Sequence, residues 1–198
     1  MTGKAPLLLG ITGASGSIYA KRFLLQAKER GLAVELIVTK TGEAVLKHEN
    51  CGDILQNNEK IHKIDDFFAP PATGSSNYLG MAVLPCSMGT LGRIAAGTSD
   101  NLLIRAADVC LKENRPLVLV PREMPFSEIH LENMLKLKRA GATIIPASPH
   151  FYKHPKNMDE LADTVVERVF SIFLLCLNPQ NRLCTYLSNW KASLLKKT

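Results

Sequence analysis

The sequence predicts a doubly wound α/β domain, Rossmann-like or flavodoxin-like, with a parallel sheet in three α/β/α layers. Three observations carry this. An apolar run of strand length, Leu7 to Ile11, leads through a glycine-rich turn into an amphipathic helix. Strand-like and helix-like segments then alternate along the chain, the pattern of a parallel sheet covered on both faces. The loops richest in glycine and proline follow predicted strand ends, where open α/β sheets bind ligands.

The elements follow in order. The opening segment, GITGASGSIYAKRF at residues 10 to 23, places Gly10, Gly13 and Gly16 between strand and helix. Glycine permits backbone angles and close approaches that a Cβ forbids, and the helix behind it offers free N–H groups with a partial positive charge. Such a turn suits an anion, although G-x-x-G-x-x-G is neither the dinucleotide fingerprint nor an ATP-binding P-loop. A plain tight turn is the alternative. The helix runs from Ser17 to Gly31. Beyond it the pattern predicts a strand Val34 to Thr39, a helix around Glu43 to Glu49, an apolar strand at Met81 to Leu84, helices between Ser87 and Glu113, and a strand Leu117 to Val120. A helix follows from about Glu128 to Ala140, capped by Ser127 and stopped by Gly141. Then come a strand Thr143 to Ile145 and a long helix capped by Asn157 with Glu160 at the capping-box position. Two further loops stand out, APPATGSS at 69 to 76 and PASPHFYKHPKN at 146 to 157.

With 198 residues and 46% hydrophobic composition the chain can bury a core as one domain, read here as residues 1–178 with a tail at 179–198. The formal charge of +6 is scattered, without the arginine-rich block or aromatic spacing of a nucleic-acid binder. The five cysteines include no C-x-x-C pair and no signal peptide precedes them, which favours a reducing cytoplasm and argues against a metal site. The apolar stretch Phe170 to Leu177 is too short to span a bilayer and reads as a buried helix face.

Several polar groups lie at strand exits. In VLPCSMGTLGRIAAG, Ser87 and Thr90 stand where hydroxyls and free N–H groups can either cap a helix or grip a phosphate or ring carbonyl. Arg122 and Glu123, directly after the strand Leu117 to Val120, suit an anion and a proton transfer better than a surface ion pair. His130 reads as a solvent-facing or packed residue. TGASG together with Tyr152, Lys153 and Lys156 imitates a short-chain dehydrogenase signature, but Pro155 would interrupt the helical turn that tyrosine and lysine must share.

GITGASG, PCSMGTLGRIAAG, the long segment DNLLIRAADVCLKENRPLVLVPREMPFSEIHLENMLKLKRAGA, and PHFY resemble, in this order, the UbiX-type flavin prenyltransferases, over roughly residues 6 to 175. The resemblance implies an enzyme that binds FMN and joins a dimethylallyl group from dimethylallyl phosphate to flavin N5 and C6, without a metal. Its product, prenylated FMN, would serve a UbiD-type decarboxylase in ubiquinone synthesis or on aromatic acids. It implies flavin contacts at Gly13, Ala14, Ser15, Thr39, Ser87, Met88, Gly89, Thr90 and Arg122, and a grip on the allyl phosphate by Lys112, Arg122, Tyr152 and Arg168. Proton handling would fall to Ser15, Glu49 and Glu123. Phe67 stands in a DxFAPP-like stretch where some members carry tryptophan, the stronger partner for an allyl cation. The family forms dodecamers with active sites between subunits, and Trp190, Leu194 and Leu195 of the tail would then either cover a neighbouring subunit or fray. Two other readings stand beside this one. A flavin-dependent peptidyl-cysteine decarboxylase would need an early catalytic histidine and a substrate clamp that the sequence lacks. A non-catalytic FMN-binding accessory subunit of an aromatic acid decarboxylase would have no use for an acid and a second phosphate grip.

Overall fold

A computed structural model describes residues 5–56 and 60–177. The tail residues Trp190, Leu194 and Leu195 lie outside the described residues.

Six strands form one sheet: β1 (Leu7–Ile11), β2 (Val34–Val38), β3 (Ile61–His62), β4 (Gly80–Cys86), β5 (Leu117–Pro121) and β6 (Thr143–Ile144). They pair in the order β3-β2-β1-β4-β5-β6, every pair parallel. This is the doubly wound order, with its reversal between β1 and β4. The helices are α1 (Ser17–Glu29), α2 (Lys40–His48), α3 (Asp53–Gln56), α4 (Met88–Ala96), α5 (Leu102–Lys112), α6 (Glu128–Arg139) and α7 (Met158–Leu177), with a 3-10 turn at Pro70–Ala72.

Alternation along the strands builds the two faces. Leu7, Leu9 and Ile11 of β1, with Ala82 and Leu84 of β4, pack under α1, α2, α3 and α7. Leu8, Met81, Val83, Leu117 and Leu119 pack under α4, α5 and α6. Both faces are covered, so the central strands β1, β4 and β5 are apolar throughout. Gly10 has a packing reason: a Cβ there would stand 3.1 Å from Leu103 of α5 and from Met81. On the other face Phe23 of α1 stacks on Phe170 of α7 with ring centroids 4.5 Å apart. Each fully buried aromatic contributes roughly 1.5–3 kcal/mol. Arg22 and Gln26 of α1 both bind Asp163 of α7 at 2.7 Å, which fixes the helix pair at its polar rim.

The caps read from the sequence form: Thr90 N–H donates to Ser87 Oγ and Glu160 N–H to Asn157 Oδ1. The structure adds one at Asn101, whose Oδ1 accepts the Ile104 N–H at the start of α5. The Glu160 carboxylate takes the N–H of Lys156 where a full box would take that of Asn157. Ser127 caps α6 with His130 as its box partner, its Nδ1 accepting the Ser127 N–H at 3.2 Å. The structure starts α2 at Lys40, capped by Thr39, three residues before the pattern places it. It also adds β3, whose two residues are too short to show a period.

Candidate functional site

The carboxyl ends of β1, β2, β4 and β5 meet at one edge, and the turns that leave them carry most of the predicted site residues. Thr12 staples the two central turns: its hydroxyl donates to Pro85 O at 2.8 Å and accepts the Ser87 N–H at 2.8 Å. This buried threonine was missed by sequence reasoning, and its signal was only its place inside the glycine turn. On the neighbouring strand, Thr39 N–H donates to Ile11 O, and Thr39 Oγ1 accepts the Gly42 N–H at 3.0 Å. Gly13 lies against α2, where a Cβ would run into the Thr41 side chain, 2.7 Å from its Cβ. The turns of Gly13 to Ser15, Thr39 and Ser87 to Thr90 therefore line one crevice at the switch point.

Within it, α4 begins with open donors. Ser87 Oγ is engaged with Thr90, and Met88 turns its side chain into the core. The N–H groups of Met88 and Gly89 have no partner among the described residues, and beyond its chain neighbours and its own helix backbone nothing lies within 4 Å of where a Gly89 Cβ would stand. These are the unsatisfied donors of a first helical turn, facing space.

The amino terminus of α1 is different, because its anion is already in place. Gly16, at φ +110°, has no side chain to cap the helix. Glu49, just past the end of α2, does so across 33 residues: its carboxylate accepts the Gly16 N–H at 3.1 Å and the Ser17 N–H at 2.7 Å. Burial pushes this carboxyl up, but the Ser15 hydroxyl, the Ser17 N–H and hydroxyl and the Gly16 N–H together hold it below the usual carboxylate range. Ser15 and Glu49, paired in the sequence reading, are in contact. Arg122 joins them from β5, its Nε donating to Ser15 O at 3.2 Å. Tyr19 rests its ring near Gly16 and feels Arg122, while burial keeps its phenol up. Glu123 is exposed beside Arg122, with one carboxylate oxygen on the Met124 N–H at 3.1 Å.

Tyr152 and Arg168 share a second locality. The 146–157 loop is an irregular segment that starts beside β5, with Ala147 N–H on Pro121 O, so the dehydrogenase signature has no helix to sit on. Lys153 pairs with Glu167 of α7 at 2.8 Å, which brings the neighbours of Tyr152 and Arg168 together. Phe67 lies on the loop between β3 and β4, 43% exposed. Lys112 is elsewhere. It ends α5 at the amino edge of the sheet, where its Nζ pairs with Glu113 at 2.7 Å, and the length of β5, roughly 13 Å of strand, separates that edge from Arg122. No group of three His, Cys, Asp or Glu side chains is placed to hold a metal ion among the described residues, and no described helix is long and apolar enough to cross a membrane.

The Flavoprotein family model matches residues 1–170. A flavin prenyltransferase UbiX from Halalkalibacterium halodurans is 47% identical over 174 residues, covering 80% of this chain and 83% of that one. Among solved structures, AnUbiX in complex with FMN and dimethylallyl pyrophosphate superposes with a TM-score of 0.81 at 39% identity, over 86% of this chain and 92% of that one. A dodecameric FMN-dependent UbiX-like decarboxylase from Escherichia coli O157:H7 does so with a TM-score of 0.79 at 44% identity, over 85% and 94%. The peptidyl-cysteine decarboxylase EpiD, at 20% identity and a TM-score of 0.62, shares the fold alone. This chain therefore belongs to the flavoprotein family and, within it, to the UbiX-type flavin prenyltransferases.

Proposed function

We propose that this chain joins the dimethylallyl group of dimethylallyl phosphate to N5 and C6 of reduced FMN, making prenylated FMN for a UbiD-type decarboxylase in the cytoplasm. The observation that carries the reading is the Glu49 carboxylate bound to Ser15 and to the first N–H groups of α1, beside Arg122. Capping α1 gives Glu49 a task in any flavin binder, but the Ser15 hydroxyl turned to it and the exposed acid Glu123 beside Arg122 have no such task, and this favours the enzyme over the accessory subunit.

The residues present fit an FMN. The open N–H groups of Met88 and Gly89, with Ser87 and Thr90, suit its phosphate, and the Gly13, Ala14 and Ser15 turn with Thr39 and Arg122 suits the rest. FMN supplies the nucleophilic N5 and the ring carbon that closes the new ring. The chain's own groups do the remaining work. As the allylic C–O bond breaks, the electron pair goes to the phosphate, and the cations Arg122, Arg168 and Lys112 stabilise that charge as it forms, with Tyr152 donating its hydroxyl. Glu123 hands a proton to the leaving phosphate. Ser15, backed by Glu49, takes the proton that N5 gives up and moves the proton displaced at C6. Phe67 would offer its ring face to the allyl cation.

Lys112 fits this reading only if a second copy of the chain presents its amino edge to the site, in a homododecamer whose active sites lie between subunits. The domain would then be residues 1–178, with the 179–198 tail contacting subunits.

Anaerobic incubation of the protein with reduced FMN and dimethylallyl phosphate, followed by mass analysis of the released flavin, tests the reading. A gain of one C5 unit, absent without the allyl phosphate and in Glu123→Gln, is expected. Unmodified FMN held tightly would overturn it in favour of the accessory subunit.

A further inference from the structure

We infer that His150 is a positioning residue for Tyr152, fixing the phenol that grips the allyl phosphate by stacking against its face; this rests on the role proposed for Tyr152 above. The rings of His150 and Tyr152 are nearly parallel, 16° apart, with centroids separated by 4.0 Å. Tyr152 is otherwise 74% exposed, on a loop without helix or strand, so within the chain the imidazole is what orders its ring.

His150 is itself well anchored. Its N–H donates to Thr164 Oγ1 of α7 at 3.3 Å, and that hydroxyl donates to Leu161 O at 2.8 Å. The loop is tied down on either side, by Ala147 N–H on Pro121 O and by the ion pair of Lys153 with Glu167. The imidazole makes no side-chain hydrogen bond among the described residues, and its Nδ1 is buried without a partner. A ring nitrogen buried without a hydrogen-bond partner is unfavourable in either tautomer, so hydrogen bonding does not account for a histidine here. The stack is the specific contact its ring makes. Stacked aromatic pairs are individually modest, which sets the scale of the effect.

The test compares His150→Ala, His150→Phe and Tyr152→Phe by steady-state prenylation of reduced FMN, with FMN affinity measured alongside. Loss of the stack in His150→Ala is expected to raise KM for dimethylallyl phosphate about 3- to 10-fold, with kcat and FMN affinity changed less than about twofold. His150→Phe, which keeps a flat ring, is expected to restore KM. A wild-type KM in His150→Ala beside a raised KM in Tyr152→Phe overturns the inference and leaves the proposed function intact. Equal impairment in His150→Ala and His150→Phe also overturns it, because the imidazole and not the stack would then matter. A wild-type KM in Tyr152→Phe removes the role of Tyr152 and the inference with it. Should His150→Ala fail to fold, His150→Phe decides: wild-type KM supports the stack and a raised KM refutes it.

Discussion

Replacing Glu49 by Gln separates the structural task of this carboxylate from its chemical one. The glutamine carbonyl can keep the Ser17 N–H bond of 2.7 Å, but the charge opposite the α1 amino terminus is lost, as is one of the two oxygens that share the Gly16 N–H. A cap and a charge at a helix amino terminus are each worth on the order of 1 kcal/mol, and partial exposure screens the charge toward the lower end. The expected loss is about 1 kcal/mol near neutral pH. Its sign with pH is fixed. The folded carboxyl is held below its unfolded value, so its stabilisation is present above the unfolded value and disappears as pH falls through the folded one. Urea unfolding of both proteins at neutral and acidic pH, at one protein concentration, should show a gap that closes in acid with unchanged m-values. In the prenylation assay the same variant should bind FMN yet turn over about 10²- to 10⁴-fold more slowly. Equal stability at neutral pH, or a gap that persists in acid, would refute the assignment of Glu49 as the charged cap of α1.

Gly13→Ala should weaken FMN binding and cost about 1–3 kcal/mol in urea, since the new Cβ meets a threonine fixed in the first turn of α2. Glu35→Ala should destabilise by about 1–3 kcal/mol, because Glu35 accepts from Lys60, His62 and Tyr78 at 2.6–2.7 Å and its loss leaves the last two buried donors unpaired; this gap narrows in acid without closing, since Glu35 is held below its ordinary value but its protonated form still accepts. Glu123→Gln should keep FMN affinity within about twofold while single-turnover prenylation falls about 10²-fold or more.

The strand–turn–helix at residues 7–29 was legible because a buried parallel strand and an amphipathic helix leave different periods, and Gly10, Gly13 and Gly16 punctuate them. The caps at Ser87, Asn101, Ser127 and Asn157 obey local rules of a few residues, and three of these positions were open to sequence reasoning for that reason. What was illegible is tertiary. Nothing in residues 10 to 17 says that the anion on α1 is Glu49, 33 residues away, nor that Thr12 holds the β4 turn across 75 residues. The cluster of Lys60, His62 and Tyr78 around Glu35 shows no motif, because its members sit on two strands and two loops. Residue types at one sheet edge can be guessed from strand order, whereas contacts among them depend on how the turns fold back.

Lys112 gives the sharpest case, because the strand order itself sets it apart. It precedes β5 and Arg122 and Glu123 follow β5, so a parallel strand forces them to opposite edges of the same subunit. If the proposed site uses all of them, Lys112 of one chain must serve Glu123 of another. Mixing two inactive variants decides this. Lys112→Ala and Glu123→Gln chains, dissociated and reassembled together, would form some interfaces in which the first supplies an intact Glu123 and the second an intact Lys112. With equal, random mixing each half is right half the time, so roughly a quarter of wild-type activity should return in a closed symmetric oligomer. Either variant reassembled alone should stay inactive. No recovery in a mixture shown to contain hybrid oligomers would mean that Lys112 takes no part across the interface, and the pull on the leaving phosphate would rest on Arg122, Arg168 and Tyr152 alone.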